Sequence, residues 1–301
     1  NFRLNAKDAA RQATDKAARD HYDALQSSFK ILINSFYGYL GFQQGTFNDF
    51  DLAEAITGTG REILSKMVGF LKQEGAMVIE LDTDGVYFVP PRSAKDPKAM
   101  ERAVQGVLPE GIEVDLDATY QAMFSYKSKN YALLHHDGEV SITGAALKSR
   151  GLEPFQRRFM AELITRLLKG GGEGARQLAE RYEAALRAHE FPLADLAKRE
   201  VLANAPAAYA DKLKTGKVRR SAAYELVLAS GRDYRQGDQV AFYITGDKKN
   251  VTVADAAKLL VDAPPDDRDE NVAYYLEKLH KLRAKFAQFL PDSPDGLLPG
   301  F

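Results

Sequence analysis

Ala76–Val89 reads AMVIELDTDGVYFV. An apolar run leads into Asp82 and Asp84, separated by Thr83. Gly85 permits a tight reversal, and Val86, Tyr87, Phe88 and Val89 leave as a second apolar run. Two short β-forming runs about an Asp-Gly step predict an antiparallel hairpin. Its turn brings two carboxylates together, and like charges at one end call for compensation. A divalent metal suits them: hard cations such as Mg²⁺ take few protein carboxylates, keep water and fill their remaining positions with substrate phosphates. The same residues also suit a ligand-free exposed turn, where Asp and Gly are favoured for backbone reasons alone. The hairpin by itself does not separate the two.

Upstream, Asp23–Gly41 reads DALQSSFKILINSFYGYLG. Gln26, Lys30, Asn34 and Tyr37 recur at spacings of three or four, which places them on one helical face. That face offers a cation, an amide and an aromatic ring. The set suits a nucleotide, with lysine for phosphate, asparagine for a hydrogen bond and the ring for stacking or a pocket wall. An amphipathic helix with Lys30 snorkelling and Tyr37 in a core has the same periodicity.

KILINSFYG followed by DTDG resembles the two downstream polymerase motifs of the family B DNA-dependent DNA polymerases: Lys, three residues, Asn-Ser, one residue, Tyr-Gly, then Asp-Thr-Asp-Gly. Their order and the intervening helical segment also match, and YKSKNYALL, KSRGLE, GDQVAFYI and NVAYYLEKL extend the likeness over nearly the whole chain. The resemblance implies an α+β fold with partial fingers helices in 1–45, an antiparallel palm sheet with packing helices in 46–125, and a mainly helical thumb in 126–301. It implies addition of deoxynucleotides to a primer 3′ end by two-metal phosphoryl transfer with Mg²⁺. Asp84 and Asp82 would be the metal ligands, Asp84 the bridging one. Lys30 would hold the triphosphate with help from Asn34, and Tyr37 and Gly38 would shape the floor under the nascent base pair. Counting back without a gap places Arg3 and Lys7 at two further triphosphate-binding positions, although solvated residues on a charged helix read equally well. Lys129, Tyr131, Lys148 and Arg150 fall at duplex-contacting positions. The partners implied are primer-template DNA and a deoxynucleoside triphosphate.

The chain departs from the family pattern in three places. Glu80 stands two before Asp82 where tyrosine is usual, so it either adds charge beside the metal pair or turns away on the sheet. Asn130 stands where lysine is usual before Tyr131. The first polymerase motif, Asp, two residues and Ser-Leu-Tyr-Pro, does not occur in the sequence. The expectation is therefore the C-terminal portion of a polymerase, inactive until an upstream polymerase segment or complementary subunit supplies the missing aspartate. A non-catalytic DNA-binding or polymerase-assembly subunit is the alternative.

Composition bounds these readings. A chain of 301 residues can hold two domains. Its 41 Lys and Arg against 42 Asp and Glu give a net charge of -1, so nucleic-acid binding must come from local patches. The absence of cysteine excludes disulfides and thiolate zinc sites. No apolar run of spanning length and no signal-peptide pattern occurs, so the expectation is no membrane and, by default, a cytoplasmic protein.

In chain order, Asn1–Ala24 is a strong helix former, either continuous with the Lys30 helix or broken near Arg19–Asp23. Asp51–Glu74 and Lys98–Val107 have helical patterns, and Gly111–Phe124 could return to the hairpin's sheet. Tyr126, Lys127, Lys129 and Tyr131 interleave aromatic and basic side chains, a composition suited to phosphate contact. HHDGE is a hairpin turn, and its adjacent histidines would point opposite ways on a strand. Pro154 opens a helix over Phe155–Leu168, and the glycines that follow predict a loop before a helix over Arg176–Ala188. Leu193–Arg199 reads as a short helix, Gly237–Thr245 as a strand, Asp262–Glu270 as a linker and Val272–Leu290 as the closing helix. Lys212, Lys214, Lys217, Arg219 and Arg220 form the densest basic interval, either a duplex-contacting patch or a solvated face.

Overall fold

The computed structural model describes residues 2–82, 85–94, 96–148, 151–170, 172–265 and 267–290. The chain divides into two compact units, Asn1–Asp117 and Ala118–Phe301. Helices predominate, and the strands form small antiparallel sheets, the α+β class expected.

In the first unit, α1 (Phe2–Gln12) and α2 (Lys16–Leu40) form a helical hairpin. Their break falls at Ala13–Asp15, before the expected Arg19–Asp23. The reason is local: the Asp15 carboxylate accepts the Ala18 amide at 3.0 Å and caps α2. The Phe2 and Phe29 rings stack at 5.9 Å, which sets the register between the two helices. A Tyr39 hydroxyl that accepts the Thr46 amide at 2.8 Å closes the turn out of α2. α3 (Phe50–Gln73) then starts at Asp49, whose carboxylate accepts the Leu52 amide.

α3 buries Met67 and Leu71 beneath the hairpin of β1 (Met77–Asp82) and β2 (Gly85–Val89), with Val78, Val86 and Phe88 packed against them. α4 (Pro97–Gln105) adds Val104 to this core. The segment after α4 does not rejoin the sheet as expected. Polar side chains of α4 hold it instead: Gln105 donates to the Ile112 carbonyl at 2.7 Å and accepts the Val114 amide, while Glu101 accepts the Leu116 amide. Those bonds satisfy backbone groups that a third strand would otherwise have paired.

The second unit carries a larger core. β3 (Ala122–Lys127), β4 (Asn130–Leu134) and β5 (Val140–Thr143) form a meander with β4 central, so Tyr131–Leu134 are buried on both faces. α5 (Pro154–Leu168) lays Phe155, Phe159, Met160, Leu163 and Ile164 into the core at helical spacing. α6 spans Gly172–Arg187, so the helix begins earlier than the expected Arg176. α7 (Leu193–Leu196) stops short of the expected Arg199. Ala197 turns extended, and β6 (Lys198–Val201) pairs with β7 (Gln239–Ile244). β8 (Ala257–Leu259) completes that sheet on the other side of β7. Between these strands lie α8 (Pro206–Lys214), α9 (Ala222–Ser230) and α10 (Val253–Ala256). α11 (Val272–Ala284) closes the unit, its Tyr275 hydroxyl accepting the buried Ile244 amide at 2.8 Å.

The expected linker is also tied down. Glu270, only 2% exposed at its side chain, receives two hydrogen bonds from Arg268, and His189 Nδ1 lies 2.8 Å from it. Arg268 also donates to the His189 and Phe191 carbonyls at 2.7 and 2.6 Å, which fastens the loop after α6 to this segment.

Candidate functional site

The hairpin turn that organises the sequence reading is only partly described. Asp82 ends β1 half-buried, whereas Asp84 lies outside the described residues. The register around Asp82 settles the question of Glu80. Val78 pairs with Phe88 and Leu81 with Val86, whereas Glu80 pairs with Tyr87 and Asp82 with Gly85, across an irregularity between Val78 and Glu80. Directly paired residues share a face, so Glu80, Asp82 and Tyr87 lie opposite the face that Val78, Val86 and Phe88 pack onto α3. The bulge re-aims the strand end, a common use of such irregularities. Glu80, 8% exposed, therefore accompanies Asp82 instead of turning away.

On the helical hairpin, Lys30, Asn34, Tyr37 and Gly38 are all exposed along α2. Arg3 follows Phe2, whose ring stacks on Phe29, and Lys7 follows one turn along α1 toward the hairpin's bend. The buried Nε of Arg3 has no hydrogen-bond partner. Lys7 instead pairs with Asp115 at 3.8 Å. The expectation that Tyr37 could sit in a core is overturned: α2 buries none of its residues. Its apolar side chains are bare, with Ile31 68%, Leu32 52%, Ile33 56% and Phe36 67% exposed.

In the second unit, Lys129 occupies the tip of the β3–β4 turn with a left-handed φ of 59°. Tyr131, expected at the duplex, is 5% exposed. It alternates with Ala132 and Leu134, which pack into the core, and so lies on the other face of β4. Lys148 is exposed, and Arg150 lies outside the described residues. Sequence reasoning saw Asn130 only as a missing charge. The structure gives its side chain two bonds, to the Ser128 carbonyl at 2.9 Å and from the Ala146 amide at 2.7 Å.

The basic interval spans the end of α8 and the connection to α9. The Tyr209 and Tyr224 rings stack at 4.3 Å, and the Tyr209 hydroxyl accepts the Ser221 amide at 2.8 Å, closing the connection. Lys214, Lys217 and Arg219 project from it exposed. Lys212 donates to Asn204 at 3.0 Å. Arg220 is engaged elsewhere: it pairs with Glu225 at 2.5 Å and Asp255 at 2.7 Å, and the hydrogen bonds it donates to both carboxylates raise its pKa. It is the least available cation of the five. His135 and His136 bond separately to Ser141 and Thr119, each at 2.9 Å. Among the described residues no group of three or more His, Cys, Asp or Glu is placed to hold a metal, and no helix is long and apolar enough to cross a membrane.

The helical hairpin with the Lys30, Asn34, Tyr37 and Gly38 face and the β-hairpin that ends β1 at Asp82 both belong to the first unit. The family model for DNA polymerase family B matches residues 1–288, and the chain belongs to that family. DNA polymerase 1 of Pyrococcus abyssi (strain GE5 / Orsay) is 27% identical over 197 residues, covering 63% of this chain and 25% of that protein. DNA polymerase of Methanocaldococcus jannaschii is 26% identical over 254 residues, covering 81% of this chain and 15% of its own length. Among solved structures, the family B DNA polymerase of the archaeon Pyrobaculum calidifontis aligns with a TM-score of 0.73 at 23% identity, over 96% of this chain and 36% of its own. The chain thus spans about a quarter or less of the curated relatives it matches.

Proposed function

We propose that the chain is the fingers-end, palm and thumb portion of a template-directed DNA polymerase, adding deoxynucleotides to a primer 3′ end. The observation that carries this reading is the α2 face, where Lys30, Asn34, Tyr37 and Gly38 stand in motif order and exposed to a ligand. The unpartnered Arg3 Nε on the neighbouring helix supports it, because a buried guanidinium nitrogen without an acceptor is costly and a phosphate oxygen would satisfy it. In this reading Lys30 neutralises the triphosphate, Asn34 holds it, and Tyr37 with Gly38 forms the floor under the new base pair. Lys7, already beside Asp115, contributes less.

Asp82 and Asp84 supply hard oxygen donors suited to Mg²⁺, and Glu80 on the same strand face as Asp82 adds a third carboxylate close by. When bound, two Mg²⁺ ions would offset charge on the attacking primer oxygen and on the leaving pyrophosphate. Lys129 and Lys148, with Arg150, would meet the duplex backbone from one edge of the thumb, and Lys214, Lys217 and Arg219 from another. Tyr131, buried beside them on β4, would support that edge. We assign 1–45 to the fingers and the turn into the palm, 46–125 to the palm and 126–301 to the thumb.

The bare apolar side chains of α2, and of Phe50, Leu52 and Ile56 at the start of α3, support a requirement for further polypeptide. An upstream polymerase segment or a complementary subunit would cover them and bring the aspartate of the first motif. The test is extension of a labelled primer by the 301-residue chain in Mg²⁺, with and without a polypeptide carrying that motif. Extension is expected only with both present and is lost in Asp84→Ala. Robust extension by the chain alone would overturn the requirement. No extension by the pair, with duplex binding intact, would leave a non-catalytic DNA-binding subunit.

A further inference from the structure

We infer that Asn130 is a positioning residue that fastens the two basic stretches around Lys129 and Lys148 into one rigid phosphate-binding edge. The inference rests on the duplex-contacting role proposed above for those lysines. β3 and β4 are joined by the two residues Ser128 and Lys129, with Lys127 paired to Asn130 across the turn. Lys129 holds a left-handed φ of 59°, uncommon for a lysine. A short hairpin turn beside a register irregularity asks for this conformation, and the Asn130 amide bonds on either side of it. Its Nδ2 donates to the Ser128 carbonyl at 2.9 Å, and its Oδ1 accepts the Ala146 amide at 2.7 Å.

The second bond crosses from the β3–β4 turn to the bend that follows β5. That bend lies hard against Asn130. Gly144 has φ +99°, and a Cβ there would stand 2.2 Å from the Lys129 carbonyl oxygen and 2.3 Å from Asn130 Oδ1. Only glycine fits, on both counts. The Lys148 amide then donates to the Gly144 carbonyl at 3.0 Å, and Leu147, 2% exposed, pins the bend to the core. Lys148 therefore leaves a bend whose location is set by Asn130, on the strand end that carries Lys129.

A lysine at position 130 has no acceptor atom. It would add charge to the edge and release the Ala146 amide. Charge counting and positioning thus make opposite forecasts for Asn130→Lys, because each phosphate neutralised adds affinity only where the cation is held in reach. The experiment measures duplex primer-template affinity of the 301-residue chain against salt, by fluorescence anisotropy, for Asn130→Lys, Asn130→Ala, Lys129→Ala, Lys148→Ala and the Asn130→Ala/Lys148→Ala double variant. We expect Asn130→Lys and Asn130→Ala each to weaken binding about fivefold, and Lys148→Ala to cost about threefold alone but almost nothing on the Asn130→Ala background. Hydrogen exchange on the free chain is a second readout: Asn130→Ala should speed exchange at Ala146 and leave Leu133 and Phe159 as they were. Tighter binding by Asn130→Lys, or additive losses in the double variant, would overturn the positioning role while leaving the duplex contact standing. Unchanged affinity in both Lys148→Ala and Lys129→Ala would overturn the duplex contact and the inference with it.

Discussion

The Arg220 guanidinium grips the Glu225 carboxylate with two hydrogen bonds, Nε to Oε1 at 2.8 Å and Nη2 to Oε2 at 2.5 Å. Asp255 closes on the same guanidinium. Arg220 therefore joins the start of α9 to α10, and its charge is spent within the fold. Lys214, Lys217 and Arg219, a few residues earlier, are exposed. Neutralising those three should weaken binding to duplexes of unrelated sequence by similar factors and reduce the slope of log affinity against log salt by about 2 to 3. Arg220→Ala should leave that slope almost unchanged and lower the thermal midpoint instead. A slope that falls as much for Arg220→Ala as for the others would show that its ion pairs open on the DNA.

How much of this was legible in the sequence depends on the range of the interactions involved. Hairpins and helices set by local patterns are where they were expected: β1–β2 around Asp-Gly, α3 under it and α5 after Pro154. Failures occurred where a long-range partner decided. Lys198 and Arg199 read as the end of a helix until β7, far along the chain, offers a ladder of hydrogen bonds. Gly111–Phe124 reads as a return to the hairpin's sheet, but Gln105 and Glu101 claim the Val114 and Leu116 amides and its last residues, from Ala122, enter β3 instead. The lysine motif was readable because one helix carries all of it. Asn130 was not, because its bond to Ala146 spans two turns that no spacing rule connects.

The Lys30 face makes a prediction about kinetics. In the enzyme assembled with the first-motif polypeptide, Lys30→Ala should slow nucleotide incorporation by roughly 100-fold, the scale of a charge-stabilising contact to a reacting phosphate. Asn34→Ala should cost about fivefold, since a neutral amide contributes a weaker hydrogen bond. Duplex affinity should be unaffected in both. Single-turnover incorporation across a range of nucleotide concentrations measures this, and equal kinetics for Lys30→Ala and parent would remove Lys30 from the triphosphate.

Acid stability should trace to the clamp around Glu270. Burial alone would push its carboxyl up, but hydrogen bonds from Arg268 and His189 outweigh it and hold the folded-state pKa below the usual 4.5. A carboxyl depressed on folding contributes stability above its unfolded pKa and loses it as pH falls through the folded one. Asp262, held down by Arg232, acts in the same direction. Urea unfolding should therefore show stability falling below about pH 4.5. Glu270→Gln should cost about 1–3 kcal/mol at pH 7 and much less at pH 3, because the charge it removes is already being lost there. An equal cost at both pH values would mean that the carboxylate's charge contributes nothing and that shape alone matters.

The last prediction concerns the carboxylate that departs from the family pattern. The bulge after Val78 turns Glu80 to the face of Asp82, away from the packing of Val78 and Phe88 on α3. On the far side of that irregularity the strand presents Glu80 and Asp82 two residues apart, and alternation keeps both on one surface. A tyrosine at position 80 would place a neutral ring there. Glutamate instead adds a negative charge, which attracts cations over the few ångströms where Coulomb forces survive screening. Glu80→Gln should therefore raise the Mg²⁺ concentration for half-maximal primer extension about threefold in the assembled enzyme, with little change in rate at saturating Mg²⁺. Asp82→Asn should lower the saturated rate itself, by at least about tenfold, as expected for a ligand in contact with the ion. The measurement is a Mg²⁺ titration of single-turnover extension for both variants. If Glu80→Gln shifts the saturated rate as strongly as Asp82→Asn, Glu80 is a ligand and not a neighbour. If it shifts neither quantity, its burial beside Tyr87 serves the hairpin alone.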